Sequence, residues 1–213
     1  MSNQEDLRDR FLATINHTRD ISLKVTNHTV ARGERIFVSP DQYKIFEGLF
    51  LTGWTYWEQF IRQLLIADLA NLPSSILRNK VSNFRTTKAN EKLAELLLDH
   101  PDAPDRWIEW SSISTIRKRA DNYLGTTNRF SVLAPVQSDF KKLKIIRNAV
   151  AHKSDKAWID FKDLITNTPF SLTPNQRKGV TVGRFLANHH WDTTIVIDKI
   201  FTIFETTSRN LVP

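Results

Sequence analysis

The chain has 213 residues, 40% of them apolar and 25% charged, which excludes a disordered tail and leaves length for one sizeable domain with a core. Lysine plus arginine exceeds aspartate plus glutamate by a net +7, a surplus that favours polyanionic partners, nucleic acid above all. Cysteine is absent, so disulfide scaffolds, thiol catalysis and cysteine-ligated metal sites are excluded. Glycine (6) and proline (8) together reach about half their usual share, and neither G-x-x-x-x-G-K nor G-x-G-x-x-G occurs, so no phosphate cradle of those kinds is expected.

Met1 to Arg10 is polar and lacks the cationic start and apolar stretch of a signal peptide. Residues 4–26 read as a first helix, with Leu7, Phe11, Ile15 and Leu23 at loose helical spacing. The stretch to residue 32 is taken as an N-terminal extension of a core spanning about 40–208. Ser39 then offers an N-cap and Pro40 a first helical position.

Pro40 to Leu72 carries the strongest helical pattern. Ile45, Leu49, Tyr56, Phe60, Leu64 and Leu65 make one apolar stripe, and Phe46, Phe50, Trp54, Trp57, Ile61 and Leu69 a second. A helix apolar on most sides is a central, buried one. Charges at Glu47, Glu58, Arg62 and Asp68 interrupt it, and no uninterrupted run of about 18 apolar residues exists for a membrane span. A soluble, cytoplasmic protein is the expectation.

Residues 74–99 read as an amphipathic helix or a broken pair, and Pro101 and Pro104 mark a loop. Asp105 to Leu124 reads as a helix stopped by Gly125, and 126–137 as a loop. A helix over about 135–153 follows, then an irregular stretch over 154–180 around Pro169 and Pro174. The last helix is expected over 182–208. Its β-branched run from Thr193 to Val196 could instead be strand. No internal repeat or composition shift divides the chain. The pattern predicts a single all-α domain, a bundle of five to seven helices.

Most of the chemistry lies in the helix over 135–153. At 100° per residue, Leu143, Ile146 and Val150 fall on one face, while Lys141, Asn148 and His152 fall on the opposite one. Arg147 flanks the core face, and its long side chain can reach around it. One turn thus bears a histidine that can exchange a proton, an amide beside it, and an arginine whose planar fork can hold a phosphate. Metal-free cleavage of an RNA phosphodiester needs those two functions. The plainer alternative is a helix whose cations favour its C-terminus, with Arg147 paired to Glu58 or another acid.

Arg147-Asn148-Ala149-Val150-Ala151-His152 resembles the R-N-x-x-A-H form of the motif of HEPN domains. The chain is most similar to the RiboL-PSP-type HEPN families, which also carry an acid among aromatics on an earlier helix. Here that acid is Glu58, in Thr55-Tyr56-Trp57-Glu58-Gln59-Phe60. The resemblance implies an all-α domain, often a two-fold homodimer, and a metal-independent endoribonuclease of toxin–antitoxin or antiphage defence systems. It implies that Arg147 and His152 are the catalytic pair, that Asn148 orients them, that Glu58 supports Arg147, and that no cofactor or metal takes part. Lys141, Lys144 and Lys153 are then expected to draw in RNA, and an inhibitor or antitoxin protein is a possible partner. Non-catalytic HEPN domains that bind RNA or a protein partner are the other reading. The position two after the histidine, a tyrosine modified by a partner antitoxin in some HEPN toxins, is Ser154 here.

Other features are weaker. His189 and His190 are adjacent and diverge by about 100° on a helix, so they make a poor metal pair. Trp54 and Trp57 sit at core spacing, while Trp158, just after the motif, is the best candidate among the tryptophans for stacking on a base. Arg117-Lys118-Arg119 and Arg177-Lys178 are basic clusters that could extend a nucleic-acid footprint.

Overall fold

A computed structural model describes residues 3–27, 39–73, 75, 90–99, 110–152 and 154–213. Among the described residues the protein is all-α apart from one hairpin of two two-residue strands. The helices are α1 (Asn3–Asn27), α2 (Ser39–Ala70), α3 (Asn90–Asp99), α4 (Ile113–Leu124), α5 (Gln137–Ala151), α6 (Asp155–Thr166), the single turn α7 (Pro174–Arg177), α8 (Val182–Asn188) and α9 (Val196–Leu211). Among the described residues no helix is long and apolar enough to cross a membrane.

The expected central helix is α2. It buries Phe46, Phe50, Trp54, Trp57, Ile61 and Leu65 among others, and α1, α3, α5, α8 and α9 all pack on it. Trp57 sits at the hub. Its ring lies 4.6 Å from Phe140 of α5 and stacks at 5.7 Å on Phe204 of α9, while Phe11 of α1 meets it edge-on at 6.0 Å. Burying each of these side chains contributes roughly 1.5–3 kcal/mol over leaving it in water. The first helix is no loose appendage, since Phe11 and Ile15 are buried in the same core.

The boundaries follow local chemistry. Ser112 caps α4 through its hydroxyl, and Gly125, at φ 86°, ends it as expected. Arg129–Leu133, expected as loop, forms a 3₁₀ turn capped by Asn128. The parts of the expected elements at 28–38, 76–89 and 100–109, with Pro101, Pro104 and Trp107, lie outside the described residues.

Two expectations need correction. The stretch 154–180 is not irregular, because α6 occupies its first half. Ser154 caps it by accepting from the Ala157 N–H, Asp155 complements its dipole, and Ala157, Phe161 and Ile165 at four-residue spacing give it a buried face. Pro169 and Pro174 act only after it has ended. The final helix is not continuous either. His189 ends α8, Asp192 turns the chain at φ 56°, and His190–Trp191 pairs antiparallel with Thr194–Ile195 before α9 begins. Of the β-branched run, Thr194 and Ile195 take strand geometry, while Thr193 lies in the turn and Val196 opens α9; the hairpin buries Trp191 against Phe170.

Candidate functional site

Helix α5 is fixed by Phe140, Leu143 and Ile146, each at most 1% exposed. The expected core face is therefore real, with Val150 half-buried at its end. This anchoring leaves Lys141 and His152 exposed and holds Arg147 and Asn148 half-buried.

His152 is the C-cap of α5, not an interior residue. Its N–H still donates to the Asn148 carbonyl at 2.8 Å, but its backbone (φ −117°, ψ 96°) has left the helix. The Ser154 N–H then donates to the His152 carbonyl at 2.6 Å, and the Ser154 hydroxyl caps α6. Two helices thus end and start within three residues, and the imidazole stands at the corner between them.

The motif side chains meet there. The Arg147 Nη1 donates to Asn148 Oδ1 at 3.2 Å and lies 2.9 Å from His152 Nε2. A guanidinium has donors only, so in this contact Nε2 is the accepting atom. Asn148 therefore bonds the arginine side chain and does not reach the histidine ring through a direct bond of the kind the helical spacing allows.

His152 also borders a cleft of about 300 Å³ between the α5–α6 corner, α2 and the start of α8. Lys44, Glu47, Asp155, Trp158 and Thr181 line it with the histidine. Its charge is mixed rather than uniformly basic. Glu47 accepts from the Gly183 N–H at 3.1 Å and pairs with Lys44, so it also ties α2 to α8. Sequence reasoning missed Lys44 and Glu47, which stand a hundred or more positions from the motif and come to it through the packing of α2 on α5 and α8. Asp155 was missed as well, because the stretch from 154 was read as irregular and not as the start of a capped helix.

The remaining expected residues are more dispersed. Lys141 and Lys144 border a separate cleft against the start of α4, beside Ser112 and Ser114. At 1.5 Å per residue they lie roughly 12–16 Å up the helix from His152. Lys153 lies outside the described residues. Glu58 accepts the Trp54 indole N–H at 2.8 Å and does not line the His152 cleft. Of the other candidates, Trp54 and Trp57 are core, at 1% and 0% exposure. Burial, with Arg184 and His190 nearby, holds the His189 imidazole below its ordinary value, and its Nε2 is buried without a partner. Among the described residues no group of three or more histidines and carboxylates is placed to hold a metal.

No protein-family model matches the chain, and no curated protein or solved structure matches it either.

Proposed function

We propose that the protein is a HEPN-type, metal-independent endoribonuclease, acting as a homodimer in a toxin or antiphage defence setting in the cytoplasm. The observation that carries this reading is the 2.9 Å contact between Arg147 Nη1 and His152 Nε2 at an exposed helix corner beside a cleft. It adds geometry to the resemblance of residues 147–152.

In this reading the guanidinium leaves the imidazole when a scissile phosphate offers its oxygens, and the vacated Nε2 faces the ribose. His152 takes the 2′-hydroxyl proton as the 2′-oxygen attacks phosphorus. The bond from phosphorus to the 5′-oxygen breaks, and an acid returns a proton to that oxygen. Arg147 stabilises the charge on the non-bridging oxygens, and Asn148 holds the arginine. The products are a 2′,3′-cyclic phosphate and a 5′-hydroxyl. One chain offers one such histidine, and a second copy across a two-fold axis supplies the acid. Lys141 and Lys144 serve more distant phosphates of the same strand. Exposed Lys44 serves nearer ones.

The test is incubation of labelled RNA with the purified protein in EDTA. Wild type cleaves and leaves the two ends named above, and Arg147→Ala and His152→Ala each lose about 100-fold or more in rate. RNA that is bound but left intact by wild type would favour the non-catalytic binding reading. Light scattering on the eluting protein tests the dimer, and a strict monomer would remove it.

A further inference from the structure

Trp158 is unlike the core tryptophans of this chain. Trp54, Trp57 and Trp191 are at most 3% exposed, whereas Trp158 is half-buried. On α6 it stands one position away from the buried row of Ala157, Phe161 and Ile165, so its indole is at the edge of the core. Phe161 stacks on it at 5.4 Å and 29°, which fixes the ring plane.

The indole is also a wall common to two clefts. One is the cleft of about 300 Å³ that holds His152. The other, of about 410 Å³, lies toward the C-terminal end of α6 and is lined by Lys162, Arg177 and Gly179. Both volumes fall in the range of ~300–1,000 Å³ typical of ligand sites. The second cleft carries cations. Exposed Lys162 sets its Nζ 5.3 Å from the Trp158 ring centroid, and Arg177, bonded to Thr166 Oγ1 at 3.3 Å, stands beside it. An aromatic face between a proton-transfer group and two cations matches a ribonucleotide, with a base to stack and a phosphate to neutralise.

We propose that Trp158 is a base-stacking platform for single-stranded RNA, with Lys162 and Arg177 taking the phosphate of the stacked nucleotide. The base lies against the indole in place of the Lys162 ammonium, which moves to the phosphate. The stacked nucleotide is then the neighbour of the linkage presented to His152. That last step rests on the ribonuclease reading, while the stacking itself does not.

The probe is a fluorescein-labelled single-stranded oligouridylate, bound to the His152→Ala chain and followed by anisotropy. Trp158→Leu keeps an apolar contact with Phe161 but removes the aromatic face, and it weakens binding by roughly 5- to 100-fold, the value of one base stack. Trp158→Tyr binds within about threefold of the parent. On a strand with the same backbone but abasic sites, Trp158→Leu and the parent bind alike. Lys162→Ala and Arg177→Ala each reduce the slope of log affinity against log salt by about one. RNA also quenches tryptophan emission in the parent, and Trp158→Tyr loses that quenching while still binding, which reads the contact even where Trp158→Leu folds poorly. Unchanged affinity in folded Trp158→Leu, an equal loss on the abasic strand, full quenching in Trp158→Tyr, or no RNA binding by the parent would each overturn the proposal. Failure of the ribonuclease reading looks different: the binding pattern holds, and the chain with His152 intact leaves RNA uncut in EDTA.

Discussion

The guanidinium of Arg147 donates to the imidazole of His152 across a helix end, five residues apart and 2.9 Å between nitrogens. Only an unprotonated Nε2 can accept that bond. On the ribonuclease reading, that lone pair is freed when a phosphate draws the arginine away.

Arg147→Lys is accordingly not a mild change. Lysine keeps the charge but loses the Nη1 that reaches both Asn148 Oδ1 and His152 Nε2, and with it the planar fork that the proposed function assigns to a phosphate. On the proposed ribonuclease reading we expect cleavage to fall by about 10-fold or more, and Asn148→Ala to cost less, since it frees the arginine without removing it. Melting temperatures of both variants should stay close to wild type. Single-turnover rates in EDTA, beside thermal melts, check both statements.

Ser154→Ala removes the hydroxyl that accepts from the Ala157 N–H at 3.3 Å and should destabilise the protein by about 1 kcal/mol, with Ser154→Gly costing a few tenths. The loss should be seen first as faster amide exchange in the first turn of α6. Because His152 is two residues away, the proposed ribonuclease reading also expects cleavage to fall in Ser154→Ala, with no chemical role for Ser154 itself.

Two glycines should respond oppositely to alanine. A Cβ at Gly183 would lie 2.2 Å from the Tyr43 carbonyl oxygen and 2.7 Å from its carbon, so α8 must move off α2. Overpacking of this kind costs about 1–3 kcal/mol. Gly48, exposed on α2, has no atom within 4 Å of a new Cβ, and Gly48→Ala should gain about 0.5–1 kcal/mol. Denaturant midpoints of the two variants should therefore move in opposite directions.

Glu205 of α9 receives hydrogen bonds from Arg19 of α1 at 3.1 Å and from Arg209 at 3.2 Å. Burial pushes its carboxyl up, but the bonds and charges of the two arginines outweigh burial and leave it below its ordinary value of 4.5. Just below pH 4.5 the folded chain thus holds fewer protons on this group than the unfolded chain. The stabilisation is complete above that value and is lost as pH falls through the folded value. Glu205→Gln should lower the melting temperature at neutral pH, and the gap from wild type should close in acid. A gap independent of pH would show that the ion pair is not its source.

The core and the motif were readable in the sequence for the same reason: both are local patterns on one helix. The double apolar stripe of α2 announced a buried helix, and Leu143 and Ile146 set the phase that put His152 on the outside. What periodicity could not supply was the corner at His152–Ser154, where a capping serine outweighs the composition of the stretch that follows. The hairpin before α9 was visible only as a conflict between β-branched residues and helical flanks. Lys44 and Glu47 were invisible as cleft residues, because their approach to His152 comes from the packing of α2 on α5 and α8, which no local pattern encodes. Lys141 and Lys144 show the reverse error, since sharing a helix with His152 placed them beside a different cleft.

The contact of Phe140 with Trp57 has a consequence for how damage would spread. The helix that ends in His152 is bolted to the most densely aromatic part of the molecule, with no hinge between anchor and tip. A lesion that merely loosens that aromatic hub, such as Phe204→Leu, should blur the alignment of imidazole and guanidinium at temperatures where the bundle is still assembled. Function would then be lost on warming before the fold is, and the gap between the two temperatures would gauge how stiffly the hub grips its neighbour.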